Sequence, residues 1–307
     1  MKGNVAAALA LSSVVFGSAA MAAENWTTRL PGVTEGLTSG ALPPAGLYFV
    51  NETLFTPTKL YSPGTTKTSV QLDAFVDVPI LEWVPGIQFA GADYAMVLAQ
   101  PFDSVTTTAG AITNGTNLGS GVGIYDTLFE PVVLSWALPN DFHIAAQLGL
   151  WLPIGDKDSR MAVKNSNRYW AIEPGLGVSW LHDGWAVNVL LTYDHNFEKS
   201  ADAATYDNYR AGDQFIAEYS VTKTLGNWTV GFGGYAMTQV EKDEASPAGG
   251  GTMASIANTE AAKYAIGPIV GYNFGPVILQ AYYHENISTE NYVGGHEIWT
   301  RMLIPLH

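Results

Sequence analysis

The stretch from Ala171 to Asp194 reads AIEPGLGVSWLHDGWAVNVLLTYD. After its His182-Asp183-Gly184 pivot, Trp185, Val187, Val189, Leu191 and Tyr193 take every second position, with Ala186, Asn188, Leu190, Thr192 and Asp194 between them. Before the pivot, Trp170, Ile172, Leu176, Val178 and Trp180 alternate with Tyr169, Ala171, Glu173, Gly175, Gly177 and Ser179. A period of two is the side-chain period of a β-strand, and Asp-Gly between two such runs marks a hairpin. One face of this hairpin faces hydrocarbon. The other faces an enclosed interior that admits glycine and carboxylate.

The alternation recurs along the chain. From Phe142, one face is Phe142, Ile144, Ala146, Leu148 and Leu150, and the other is His143, Ala145, Gln147, Gly149 and Trp151. From Val70, one face is Val70, Leu72, Ala74, Val76, Val78 and Ile80, and the other is Gln71, Asp73, Phe75 and Asp77. Turn residues predict twelve strands, at roughly 46–56, 68–83, 87–101, 123–137, 142–154, 168–181, 185–198, 211–225, 228–241, 261–274, 277–289 and 296–306. Tight connections such as Val84-Pro85-Gly86, Gly226-Asn227 and Gly275-Pro276 alternate with longer loops at 57–67, 102–122, 155–167, 199–210, 242–260 and 290–295. This pattern predicts an all-β fold: a closed antiparallel transmembrane β-barrel with short periplasmic turns and long extracellular loops. Closure gives every backbone amide in the lipid a partner.

Composition fits that environment. Only 14% of the 307 residues are charged, and the net charge of −14 leaves no basic face for nucleic acid. Residues 1–22 carry Lys2, an apolar run and the Ala20-Met21-Ala22 pattern of a signal peptide. Residues 23–45 form a periplasmic N-terminal segment and a candidate plug, with Trp26, Leu30, Val33 and Leu37 to bury. The barrel is expected over 46–307. Trp83, Trp136 and Trp180 precede short turns, Phe142, Trp185 and Trp228 follow them, and Phe274 closes a strand. These seven form the expected aromatic girdle at the periplasmic interface.

Several stretches resemble a family of outer-membrane proteins named for the meta-pathway of phenol degradation. They are Gly40-Ala-Leu-Pro-Pro-Ala-Gly-Leu-Tyr-Phe-Val-Asn51, Asn167-Arg-Tyr-Trp-Ala-Ile-Glu-Pro174, Gly226-Asn-Trp-Thr-Val-Gly-Phe-Gly-Gly-Tyr235, Tyr264-Ala-Ile-Gly-Pro268 and Leu303-Ile-Pro-Leu306. The resemblance implies an outer-membrane barrel for diffusive uptake of small hydrophobic or aromatic compounds. Its expected partners are outer-membrane lipid, the barrel-assembly machinery and the solute itself, with no nucleic acid and no cofactor. The chain departs from the family's expected aromatic last residue, ending Leu306-His307.

A charge facing lipid costs up to about 2–4 kcal/mol. On that ground Asp73, Asp77, Glu130, Glu173, Asp194, Glu218, His284 and Arg301 are assigned to the lumen. There they either filter solutes or pair with one another, Arg301 with Glu130 or Glu173 for example. Pro79, Pro131, Pro153, Pro174, Pro268 and Pro305 fall inside strands, which calls for bulges or for a gap in the wall. Catalysis has little support: Asp194 and His195 are adjacent on a strand and face opposite ways, and the histidines lack metal-ligand spacing. The alternatives to a channel are a non-conducting structural or lipid-contacting barrel and, with less support, a hydrolase.

Overall fold

The computed structural model describes residues 27–62, 64–109, 116–156, 166–198, 208–246 and 260–306. The expected signal peptide and most of the expected loop at 242–260 lie outside them. The first strands are β1 (Gly46–Tyr61), β2 (Lys67–Val84), β3 (Gln88–Phe89), β4 (Ala92–Ala99), β5 (Phe102–Ala109) and β6 (Thr116–Ile124). Next come β7 (Thr127–Ala137), β8 (Phe142–Leu152), β9 (Ala171–His182), β10 (Trp185–Asn196), β11 (Asn208–Arg210) and β12 (Gln214–Leu225). The last are β13 (Trp228–Gln239), β14 (Glu244–Ser246), β15 (Ala262–Asn273), β16 (Ile278–Glu290) and β17 (Tyr292–Pro305).

The wall runs β4-β7-β8-β9-β10-β12-β13-β15-β16-β17-β1-β2, and β2 returns to β4 through Ile80↔Ala99 to Trp83↔Met96. The ring is closed and antiparallel throughout. β4 and β5 are halves of one strand bent at Gln100-Pro101, and β6 and β7 are halves of another bent at Tyr125-Asp126. Among the described residues, β11 and β14 pair only with each other.

Two expected loops are strands. Residues 102–122 largely form the β5–β6 hairpin, and 290–295 contract to a tight turn at Asn291, whose φ is 47°. Both stretches are polar enough to read as loops, but a strand that rises clear of the lipid needs no apolar face. The short turns behave as predicted: Asn140 and Asp141 (φ 62° and 64°) and Asp183 and Gly184 (φ 45° and 73°) take the left-handed conformations of two-residue hairpin turns.

The prolines sit where the ladder gives way. Pro131 falls in a register shift between Phe129 and Val132, and Pro153 follows the end of β8. At Pro268 the β15–β16 ladder passes from Ile266↔Glu285 to Ile269↔Tyr282. Above Thr127↔Leu152, β6 has a strand neighbour on one side only among the described residues, namely β5.

The interior is filled. Trp299, Tyr235, Tyr282, Tyr292, Ile216 and Met237 are all buried inside, with Tyr282 stacked on Trp299 at 5.7 Å between ring centroids. Trp83, Phe142, Trp185, Trp228 and Phe274 are exposed on the outside beside the short turns, and Trp136 and Trp180 lie there half-buried.

Candidate functional site

Residues 27–45 run inside the barrel before β1 begins. The run Thr-Arg-Leu-Pro-Gly-Val-Thr-Glu-Gly has too few residues between glycines for a helix. It folds instead into successive turns: Val33 N–H donates to Leu30 O (3.3 Å), Glu35 N–H to Gly32 O (3.1 Å) and Leu37 N–H to Thr34 O (3.1 Å). Gly32 and Gly36 provide the positive φ values, 89° and 82°, that this path requires.

The wall grips the segment with charge. Arg29 donates to Glu173 Oε1 (2.9 Å) from β9 and to Glu218 Oε1 (3.4 Å) from β12, all three side chains being buried. Burial alone would lower the guanidinium's pKa, but Glu173, Glu218, Glu130 and Asp194 raise it by more, so Arg29 keeps its charge. Glu218 also takes the backbone N–H of Gly32 (3.0 Å) and of Thr34 (3.1 Å). Arg301 from β17 donates to Glu35 O (2.8 Å) and Val33 O (3.1 Å) while its Nε bonds Glu52 of β1. The Glu35 carboxyl meets His284 Nε2, and burial pushes its pKa above the ordinary value. Behind His284 stands Glu297, bonded to His284 Nδ1 (3.1 Å), Lys263 Nζ (2.5 Å) and Tyr235 Oη (2.7 Å).

Farther along, serine side chains of the wall hold the segment's backbone. Ser135 Oγ donates to Gly40 O (2.8 Å), and Gly40 N–H donates to Ser179 Oγ (2.8 Å). A Cβ on Gly40 would strike His143 O, and one on Gly177 would strike Ser39 O. Glu130 and Ser135 lie five residues apart on β7, Glu173 and Ser179 six apart on β9, yet all four face inward; the bulge at Pro131 keeps the two on β7 on one face, and both serines reach the same glycine.

Of the eight residues assigned to the lumen, Glu130, Glu173, Asp194, Glu218, His284 and Arg301 are buried inside, where all but Glu130 bond the N-terminal segment directly. Asp73 and Asp77 are not there. They share the outward face of β2 with Phe75, 48% exposed, while Leu72, Ala74, Val76 and Val78 turn inward and are buried. The face assignment fails because it takes the interior to be wet; a lumen packed with chain selects the aliphatic face instead. Arg301 pairs with Glu52 rather than Glu130 or Glu173, and the partner of Glu173 is Arg29. Asp194 is buried inside, whereas His195 faces out and lies 2.7 Å from Asp213 Oδ2. Glu52 and Glu297 are further interior carboxylates not named from the sequence; Glu52 shares its face with Val50 and Leu54, and Glu297 shares its face with Trp299 and Arg301. Arg29 and Glu35 lie in an aperiodic segment, where alternation gives no signal.

Between the segment and the wall is a cavity of about 230 Å³. Leu30, Val33, Leu37 and Leu42 line it on one side, and Val78, Ile80, Val97, Ala99, Leu128 and Trp151 on the other. Glu82, Glu130, Gln147 and Arg29 are polar points in its lining, and Pro101 and Tyr125 bring it to the two bends in the wall. A cavity of about 150 Å³ lined by apolar side chains accommodates benzene, so this one has room for a substituted single ring.

A closed antiparallel wall with an apolar outer face and a protein-filled lumen defines an outer-membrane β-barrel. The fold is similar to that of the COG4313 outer membrane channel from Pseudomonas putida F1, with a TM-score of 0.74 and 15% identity over 90% of this chain and 99% of that one. It is also similar to the translocator domain of the autotransporter NalP from Neisseria meningitidis, with a TM-score of 0.51 and 9% identity over 86% and 90%. Residues 57–302 match the family described as "Putative MetA-pathway of phenol degradation", and the chain belongs to that family. No curated protein matches the sequence.

Proposed function

We propose that this barrel is an outer-membrane channel for small hydrophobic compounds, single-ring aromatics in particular, and that residues 27–45, the described part of the expected 23–45 segment, act as its plug. One observation carries the reading: the apolar cavity of about 230 Å³ between segment and wall. A hydrophilic pore would line such a space with water-binding groups. This one offers aliphatic and aromatic surface with a few polar points, the usual make-up of a site for an apolar ligand. The name of the Pseudomonas structure supports a channel, and the family description, which names phenol, supports a single-ring compound. Arg29, held by Glu173 and Glu218, lines the cavity, and the plug it anchors closes the axial route to hydrophilic solutes.

A second reading concerns the exit. Pro101 and Tyr125 line the cavity where β6 has a single strand neighbour among the described residues. A solute leaving there enters the bilayer sideways and never crosses the plugged axis.

The test is uptake of radiolabelled toluene by cells expressing the wild type, an A99F variant or no channel. Ala99 is buried at the cavity wall, and phenylalanine there fills the space. The expected order is wild type above A99F, with A99F near the empty cells and its barrel still folded by the heat-dependent shift on gels. Equal uptake by wild type and empty cells removes the proposal.

A further inference from the structure

The outer face of the barrel is apolar over most of its girth. Along β8, β9 and β10 its mid-strand residues include Ile144, Leu148, Leu176, Val178, Val187 and Val189. The opposite sector departs from this. Ala281, Thr300, Thr53 and Asp77 are successive cross-strand partners on β16, β17, β1 and β2, and all face outward. Asp77 Oδ1 accepts hydrogen bonds from Asn51 Nδ2 (2.7 Å) and Thr53 Oγ1 (3.1 Å), while its Oδ2 has none among the described residues. Higher on the same sector, His296 and Glu285 face each other at 2.9 Å and Tyr283 Oη joins them.

Height makes Asp77 costly. It stands on the same strand as Trp83, and a rise of about 3.3 Å per residue with a tilt near 40° puts it roughly 15 Å above the tryptophan. That is mid-way up an apolar band about 25 Å tall. A half-satisfied carboxylate facing acyl chains is disfavoured; one facing a second protein surface with hydroxyl donors is not.

The shape of the sector is two-sided. On the β15–β17 flank the outer wall has a shallow hollow of about 490 Å³, floored by Gly271, Ala281 and Thr300. On the other flank Phe75, Leu81, Leu98 and Phe102 project from β2, β4 and β5, each 42–48% exposed.

We propose that this sector is the interface of a two-fold homodimer whose axis runs along the membrane normal beside Thr53. Both copies insert in the same sense, so that axis lays β15–β17 of one copy against β2, β4 and β5 of the other, twice. The hollow then receives the bulky flank, and the Asp77 carboxylate meets the β17 side, whose outward donors are Thr300 and His296. A symmetric pair needs one surface complementary to itself, and this sector provides donor against acceptor and hollow against projection on either side of Thr53.

The chain has no cysteine, so a single introduced thiol reports without background. T53C lies at the axis; V189C lies on β10, diametrically across the ring from β1. Oxidation of isolated outer membranes should give T53C as a disulfide dimer and leave V189C as single chains. D77L in the T53C background should keep its heat-dependent gel shift but lose most of the dimer. The proposal is overturned if T53C cross-links no better than V189C, if its product has a mass other than two chains, or if folded D77L/T53C cross-links as well as T53C.

Discussion

Replacing Arg29 with methionine keeps the length and the stem of the side chain and removes its charge. In the wild type the guanidinium lies 2.9 Å from Glu173 and 3.4 Å from Glu218, with each side chain no more than 4% exposed. Removing one member of a buried ion pair costs about 3–5 kcal/mol, because the remaining charge has neither partner nor water. Here the carboxylates have an escape: if the segment leaves, water reaches them. The penalty therefore falls on docking of the segment. At about 1.36 kcal/mol per decade, the ratio of docked to undocked segment drops by roughly two to three and a half powers of ten. Single-channel recording should show long-lived open states in R29M that the wild type lacks. Hydrogen exchange should show lost protection at the amides of Gly32, Thr34 and Gly40, whose bonds all go to the wall. If R29M matches the wild type in both conductance and exchange, buried charge does not hold the segment.

Three further outcomes test other parts of the structure. G177A adds one methyl where Ser39 O already lies against the wall, so it should displace the segment and raise liposome swelling without altering any charge. Trp299 is fully buried against Tyr282, so W299A should destabilise the barrel by about 3–5 kcal/mol, read as a lower midpoint of urea unfolding in detergent. At the outer rim, Asp213 accepts from Arg210 (2.8 Å), Tyr193 (2.8 Å) and the backbone N–H of Asn196 (3.1 Å) and lies beside His195; burial alone would raise its pKa, but these partners bring it below the ordinary 3.8. A depressed carboxyl pKa stabilises the fold above the unfolded value, and that contribution disappears as pH falls through the folded one. Proteolysis near residues 208–213 should therefore increase below pH 3.8, and D213N should be susceptible at neutral pH as well.

The wall was largely legible because lipid imposes a strict rule on one face. The alternation in β8, β9 and β10 set the correct side chains inward, and the Asn-Asp and Asp-Gly turns set their connections. β2 was misread because both of its faces are ambiguous: one is aliphatic from Val70 to Ile80, and the other mixes Phe75 with Asp73 and Asp77. Deciding between them requires knowing what fills the lumen. That content comes from residues 27–45, whose placement depends on turns, close glycine contacts and long-range ion pairs rather than on any period. The site was accordingly half visible. Glu173, Glu218 and Asp194 could be found on their strands, whereas Arg29, the cation they surround, could not.

Arg301 lies near the end of the chain and Glu52 near the start of the barrel, on the two strands that meet at the seam between first and last. The same guanidinium also holds the carbonyls of Val33 and Glu35. One residue thus bridges two joins at once, between the two ends of the sheet and between the wall and the segment inside it. Without the segment this cation would keep Glu52 and lose both carbonyl acceptors. In the finished barrel, closure of the sheet and filling of its interior are thus tied to a single cation.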